Sequence, residues 1–571
     1  MYRVQLLFVL VLLSWLPVTL FAEQAGLQDV AYLKAKTEDM TWFKAARFGM
    51  FVHWNQVSQL GCDLSWSRGE VRPGLPKDYL HWGDLYNTDR KGIPVYIYDN
   101  LYKTFNPDKF NAQEWVEIIK AAGMKYLIFT TKHHDGFCMF DSAFTDYDIK
   151  STPFARDICK ELAKACQEAG IRIGWYYSPP DWHHPDFYTE NHDRYVKYMH
   201  AQVRELLTNY GKIDVMWFDS LLGPPPEKMG SYELFKIIRE LQPGILINNR
   251  LSLAGDFDTP EGYVGMYNTD RPWESCITIG TQWGWKLEDE VKPFKDCLRN
   301  LIYCAGGDGN LLLNVGPMPN GRIDPRQNEI LKQMGAWLKE YGRTIYGTHG
   351  GPFVPTNWMA STCNEKTVYL HILDWPTDKI TIPKFPAKII SHRLLTGGKA
   401  KLTQKNQLVT IEIAPKYRNQ IDTILVLEMD QKVQGPINLP SNSLAFDKPA
   451  TASNFYGGSN SAFDSAYAFD DNPLTRWATD NEIPECWLQV DLGKPTPVNF
   501  IRIVECGSGV GSFAIEFRTD EKADWKTVLT GSQLGTSYNA GFETAIARYV
   551  RLNIKKAYSP PTICEFQIFQ K

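Results

Sequence analysis

Short, almost wholly apolar runs recur through the first half of the chain, separated by segments whose apolar residues return every three or four positions. The runs are Phe48–Trp54, Tyr126–Lys132, Arg172–Ser178, Asp214–Asp219, Ile245–Asn249 and Leu311–Gly316, with a weaker one at Cys276–Gly280. A strand covered on both faces reads this way, whereas a half-solvated strand alternates. Between the runs the pattern predicts helices over Asn111–Ala122, Arg156–Ala169, Asn191–Tyr210, Ser231–Leu241, Glu288–Cys304 and Arg326–Tyr341. In the first of these Trp115, Ile118 and Ile119 share a face, and Gly123 suits the C-terminal cap. Repeated strand–helix units predict a (β/α)8-like TIM barrel over residues 30–350. Seven strands are readable, so one barrel strand is missing, distorted or unread.

After Gly351 the texture changes. Thr367–Leu373, Lys388–Leu394, Gln407–Ile413 and Thr423–Leu427 alternate or run apolar between turn residues, which predicts an all-β module, a small β-sandwich, over 351–439. Gly435-Pro436 to Pro440-Ser441-Asn442 reads as a linker, and a second β-rich unit fills 443–571.

At the other end, Arg3, the apolar run Leu6–Leu13 and a small-residue exit at Ala22 predict a cleaved signal peptide over 1–22, too short to span a bilayer. Secretion follows, to a periplasmic or extracellular place if the source is bacterial. No other transmembrane candidate is legible. The eleven cysteines are odd in number and scattered, several inside apolar runs, so they read as small buried hydrophobes and not as a disulfide framework or a zinc site. A net charge of −4 without a basic tract argues against nucleic acid and anionic membrane surfaces as partners. Aromatic residues make up 13% of the chain, a modest pointer to stacking on sugar rings.

The chemistry gathers at predicted strand ends, which in a (β/α) barrel line the active site. Ile213-Asp214-Val215-Met216-Trp217-Phe218-Asp219 is an apolar run ending on a carboxylate, the geometry of a nucleophile held rigidly at a pocket mouth. An Asp capping the next turn is the alternative for that residue alone. Its company favours a site: His53 ends the first strand, His133 and His134 follow the second, Tyr176 lies near the end of the third, and Asn248-Asn249-Arg250 ends the fifth. The adjacent histidines invite a metal reading, but neighbouring strand residues point to opposite faces and no HxH or HExxH spacing supports it. Neutral donors for sugar hydroxyls fit better, with no metal or cofactor in the catalytic site.

These residues resemble glycoside hydrolase family 29 when taken with Gly255-Asp256-Phe257-Asp258-Thr259-Pro260-Glu261, Trp273-Glu274-Ser275-Cys276, Trp283-Gly284-Trp285 and Asn310-Leu311-Leu312-Leu313-Asn314-Val315-Gly316-Pro317. The resemblance runs from about Tyr32 to Leu427. It implies a retaining, exo-acting α-L-fucosidase with a barrel followed by a β-sandwich, acting on fucosylated glycans. It makes Asp219 the nucleophile, with His53, His133, His134, Tyr176 and Arg250 gripping the sugar and the nucleophile's surroundings. Trp66 and Trp283 would form the apolar wall beside the methyl group. Many relatives carry Glu ahead of the Ser-Trp pair where this chain has Asp63, which leaves that residue's role open. Glu261 and Glu274 both qualify as general acid/base, Glu261 being preferred for its place on the loop after Arg250. A related α-L-galactosidase and a silent glycan-binding protein are the competing functions.

The last unit carries Ala468-Phe469-Asp470-Asp471-Asn472, Thr475-Arg476-Trp477, Trp487-Leu488-Gln489-Val490-Asp491-Leu492-Gly493, Arg548-Tyr549-Val550-Arg551-Leu552 and Cys564-Glu565-Phe566. It resembles the discoidin, or coagulation factor V/VIII type C, domain. That implies a β jelly roll of a kind that often binds galactose-type sugars, with a structural calcium ion as a further expectation.

Overall fold

The computed structural model describes residues 31–69, 92–220, 225–375, 378–405, 407–433, 435–439, 443–458, 463–472, 475–480, 483–505, 509–534 and 538–570. The predicted signal peptide and Cys506 lie outside the described residues.

All seven predicted strands of the first unit form: β1 (Phe48–Val52), β2 (Tyr126–Lys132), β3 (Arg172–Tyr177), β4 (Val215–Phe218), β5 (Leu246–Ile247), β6 (Glu274–Thr278) and β7 (Asn310–Val315). They make one parallel sheet in the order β5-β4-β3-β2-β1-β7-β6. Two cores explain why the runs lack alternation. On one face Phe51, Ile128, Tyr176, Trp217, Leu246, Cys276 and Leu312 pack together over Phe43 of the helix α1 (Thr37–Ala46). On the other, Met50, Phe129, Trp175, Met216, Ile277 and Leu313 meet the helices. Both faces are dry, so apolar residues are needed at every position.

The longer helices that follow are α2 (Ala112–Ala121), α3 (Ile158–Ala169), α4 (His192–Thr208), α5 (Ser231–Leu241), α6 (Phe294–Gly306) and α7 (Pro325–Tyr341). The Asn111 side chain caps α2 by accepting from the Gln113 and Glu114 amides, and Asp157 caps α3 through Lys160. The predicted start of α6 at Glu288 is too early. Pro293 disfavours helix in the residue before it, and α6 begins just after.

β5 is shorter than predicted: past Ile247 the Asn248 side chain bonds both the amide and the carbonyl of Phe218, at 2.8 Å each. The sheet's two edges are then joined by an irregular stretch. Phe257 bridges Asn248 in parallel sense, Asp258 bridges Trp273 and Glu261 bridges Cys276. This pairing occupies the place where a further strand was expected, and it carries Glu261.

The middle unit has two antiparallel sheets. β8 (His349–Gly350), β9 (Met359–Asn364), β10 (Thr367–Ile372), β12 (Ile389–Leu394) and β15 (Thr423–Met429) form the first; β11 (Lys379–Pro383), β13 (Ala400–Lys405) and β14 (Leu408–Ile413) form the second. Leu370 and Leu427 of one share a core with Ile382 and Ile411 of the other. The sequence reading missed β8, β9, β11 and β13. Ala-Lys-Leu-Thr-Gln-Lys in β13 is exposed at most positions, so packing leaves little apolar signal there.

The last unit is a separate antiparallel sheet from β16 (Ala450–Ala452) to β22 (Thr562–Phe569), with β18 (Cys486–Glu505) and β21 (Tyr538–Ala557) as its long central pair. It has its own core around Trp477, Val490 and Phe566. Among the described residues Cys62, Cys138, Cys159, Cys166, Cys276, Cys297, Cys304, Cys363 and Cys486 are free. Among the described residues no helix is long and apolar enough to cross a membrane.

Candidate active site

Parallel strands in register deliver their C-terminal residues to one rim. His53 follows β1, His133 and His134 follow β2, Asp219 follows β4 and Arg250 lies three residues past β5. The β3–β4 register sets Tyr176 opposite Trp217. From there the Tyr176 hydroxyl donates to Asp219 Oδ2 at 2.8 Å. On the other side Arg250 Nη1 donates to Asp219 Oδ1 at 3.0 Å and to Glu261 Oε2 at 2.6 Å.

One guanidinium nitrogen therefore touches both carboxylates, and the sum of the two contacts bounds the separation of those oxygens at 5.6 Å. Two anions that close repel by about 3 kcal/mol at an effective dielectric of 20, while each is drawn to the guanidinium by roughly 5 kcal/mol. The cation is what lets the pair exist. Arg250 is itself held by Thr259, which accepts from Nε at 2.7 Å and, through its carbonyl, from Nη2 at 2.9 Å, and its plane lies over the Trp217 ring at 4.6 Å.

Burial acts to raise the Asp219 carboxyl, but Arg250, His134 and the Tyr176 hydroxyl outweigh it and the net position is below the usual carboxylate range. Burial pushes His134 down to about 4, so the imidazole is neutral at working pH and the weight falls on Arg250 and Tyr176. His53 is also pushed down to about 4 by burial. Each ring is aimed by its Nδ1: His53 against Asn314 Oδ1 at 2.7 Å, His134 against Ser178 Oγ at 2.5 Å and His133 against Ser65 Oγ. The Nε2 edge of His134 faces Asp219 Oδ2 at 3.6 Å. By spacing alone His133, His134 and Asp219 could gather a metal ion. Arg250 already supplies positive charge at Asp219.

Trp283 and Trp66 lie against the histidines. Trp283 lies 4.8 Å from the His53 ring, and Trp66 meets His134 and Trp182 edge-on at 5.3 Å each. Asp63 acquires a role: its Oδ1 accepts from the backbone amides of Trp283 and Gly284, both at 3.0 Å. Asn314 completes that hold by donating to the Trp283 carbonyl at 2.8 Å. Gly316 lets the loop come so close, since a Cβ there would sit 2.5 Å from the Trp285 amide nitrogen. Asn314, Ser65, Ser178, Thr259 and Trp182 carried no role in the sequence reading. Only Asn314 gave a signal, as a polar residue inside an otherwise apolar strand.

Glu274 is not brought to this rim. It opens β6, fully buried beneath Trp217, and its oxygens accept from the Tyr126 hydroxyl and from Trp217 Nε1 at 3.1 Å. Burial pushes it up to about 7. As a candidate acid/base it is corrected by geometry, because Trp217 stands between it and Asp219's pocket.

A family model described as Alpha-L-fucosidase matches residues 22–343, more than half of the chain. The chain belongs to the alpha-L-fucosidase family. A second model, the F5/8 type C domain, matches residues 449–566. Human plasma alpha-L-fucosidase is 30% identical over 364 residues, covering 59% of this chain and 76% of the relative. Among solved structures, alpha-L-fucosidase isoenzyme 1 from Paenibacillus thiaminolyticus is 35% identical with a TM-score of 0.61, covering 69% of this chain and 99% of its own. A GH29 alpha-L-fucosidase from Bacteroides thetaiotaomicron, trapped as a covalent intermediate with 2-fluoro-fucosyl fluoride, has a TM-score of 0.60 at 25% identity, over 69% of this chain and 97% of its own. The chain is thus a glycoside hydrolase of the GH29 type.

Proposed function

We propose that this protein is an exo-acting retaining α-L-fucosidase, with Asp219 as nucleophile and Glu261 as general acid/base. The observation that carries the proposal is the shared Arg250 nitrogen, which keeps the two carboxylates within 5.6 Å. Retaining glycosidases hold their pair about 5–5.5 Å apart, whereas inverting ones need about 6.5–9.5 Å to admit a water. The Asp219 side chain is only 16% exposed on a floor of Tyr176 and Trp217, which suits a terminal sugar entering a closed pocket.

In the first displacement an Asp219 oxygen attacks the anomeric carbon. The glycosidic bond breaks with its electron pair moving to the leaving oxygen, which takes a proton from Glu261. In the second, Glu261 removes a proton from water, the water oxygen attacks the same carbon from the opposite face, and Asp219 departs as carboxylate. His53, His133 and His134 offer neutral imidazoles to the sugar hydroxyls, and Trp66 and Trp283 face its methyl group. The scheme calls for no cofactor. The expected result is hydrolysis of 4-nitrophenyl α-L-fucoside with the α-anomer as first product; a β-anomer detected by proton NMR contradicts it.

The acid limb of the pH profile has a predicted place. With both His53 and His134 pushed down to about 4, raising the pH through that value restores their neutral form. Protonating them instead adds charge beside Arg250 and removes acceptors for hydroxyls. kcat/KM is expected to fall toward pH 4, and a fall centred near 6.5 places these imidazoles elsewhere in the titration.

We read the parallel sheet and its bridging stretch 256–262 as a (β/α)8-like barrel within residues 30–350. On the same reading the two antiparallel sheets of 351–439 are a β-sandwich, and 443–571 is a discoidin-like jelly roll. The leader pattern of residues 1–22 supports secretion. The jelly roll also suits a calcium ion. Glu565 is fully buried with neither oxygen in a hydrogen bond. Burial, then Asp471 and Asp470, push Glu565 well up, with Arg502 opposing. A calcium ion near Glu565, Asp470 and Asp471 would take oxygen ligands and offset this crowded charge. At a hundredfold excess over its Kd, calcium is expected to raise the melting temperature of this unit by roughly 10 °C, and Glu565→Gln to remove the effect. No response to calcium or to a chelator in a thermal scan argues against the ion.

A further inference from the structure

We infer that the C-terminal unit completes the subsite for the leaving group, through Arg476 and the aromatic rings around it. The inference rests on the proposed function, above all on Glu261 as acid/base. The acid must come within hydrogen-bond reach of the glycosidic oxygen. The sugar chain beyond that oxygen therefore departs across the surface next to Glu261.

That surface is built by two units of the chain. Tyr263 follows Glu261 by two residues, at most ~7 Å of backbone. Its ring is covered by the guanidinium of Arg476, whose carbon lies 4.6 Å from the ring centre. The same guanidinium lies 5.1 Å from the ring of Phe463, and Phe463 meets Tyr456 edge-on at 5.4 Å. Tyr456 is 47% exposed. Arg476, Phe463 and Tyr456 all belong to the C-terminal unit, so an aromatic and cationic surface runs outward from the acid/base loop across the boundary. The C-terminal unit is also seated by Arg502, which donates to the Asn357 carbonyl at 2.8 Å and pairs with Asp374 at 3.4 Å. Arg476 is thus not the sole tether.

Among the described residues Arg476 makes no ion pair or hydrogen bond to a protein group; its contacts are with the two rings. A guanidinium stacked in this way keeps its N–H edge for other acceptors. Sugars present apolar C–H faces and hydroxyl rims, which match ring faces and N–H donors in turn. The ligand class is the part of a fucosylated oligosaccharide that remains after fucose is removed. A small aryl leaving group offers much less to this surface.

The test compares kcat/KM on a fucosylated trisaccharide with kcat/KM on 4-nitrophenyl α-L-fucoside, for the full chain and its Arg476→Ala and Tyr456→Ala variants. The ratio of the two is expected to fall about tenfold in Arg476→Ala, chiefly through the KM of the trisaccharide. It is expected to fall about threefold in Tyr456→Ala. An unchanged ratio in both variants overturns the inference. A parallel loss on the two substrates, with a lowered melting temperature, also overturns it, since that is what a purely structural contact would do. A wild-type chain that hydrolyses neither substrate overturns the proposed function itself, and needs no variant to show it.

Discussion

Asp219→Ala is expected to lower kcat/KM toward 4-nitrophenyl α-L-fucoside by roughly 10⁴- to 10⁶-fold, the range for removing a nucleophile that works within a unit. The fold should survive, because Arg250 keeps Glu261 and Thr259 as partners and Tyr176 remains packed on Trp217. Azide is small enough to enter the space left by the carboxylate. It would attack from the nucleophile's side in a single displacement, so the rescued product is the inverted, β-linked fucosyl azide. A variant retaining more than about a tenth of wild-type activity is incompatible with a covalent role for Asp219.

The second large effect is at Glu261. Removing a general acid/base costs about 10²–10⁴-fold, and the loss should grow with the basicity of the leaving group. A natural sugar needs its oxygen protonated, whereas a dinitrophenolate leaves unaided. Glu261→Ala is therefore expected to keep the first displacement on the activated aryl fucoside while the fucosyl-enzyme accumulates. Azide attacking that intermediate gives the retained, α-linked product. Glu274→Gln is expected to show neither leaving-group dependence nor azide rescue, since Trp217 separates its carboxyl from the pocket. Steady-state kinetics over a series of aryl fucosides distinguishes the two glutamates.

Much of this site was legible because its residues terminate strands, and strand ends in a parallel sheet share a rim. His53, His133, His134, Tyr176 and Asp219 each lie at or just past the end of a short apolar run. Arg250 was legible for the same reason, although β5 proved only two residues long. The ambiguity between Glu261 and Glu274 could not be resolved by pattern. Both lie in stretches flanked by aromatics and turns, and only the pairing of 257–261 with the edge strands lifts one to the rim while β6 buries the other. The supporting residues were less visible still. Asp63, Asn314 and Ser178 act through hydrogen bonds to groups far along the chain, contacts that leave no periodic trace. The polar strands of the middle unit were missed because edge positions such as Lys401 and Gln404 need not be apolar. The Arg476–Tyr263 contact likewise joins two units whose separate sequences give no hint of each other.

The central claim is that Asp219 forms a covalent bond to the anomeric carbon. The most direct measurement is to incubate the protein with a 2-fluoro-fucosyl fluoride, digest it, and map the label by mass spectrometry. One equivalent of fluorofucosyl on the peptide containing Asp219, absent in Asp219→Ala, is the predicted result. A label on any other side chain, or an active enzyme that is never labelled and releases the β-anomer, would contradict it.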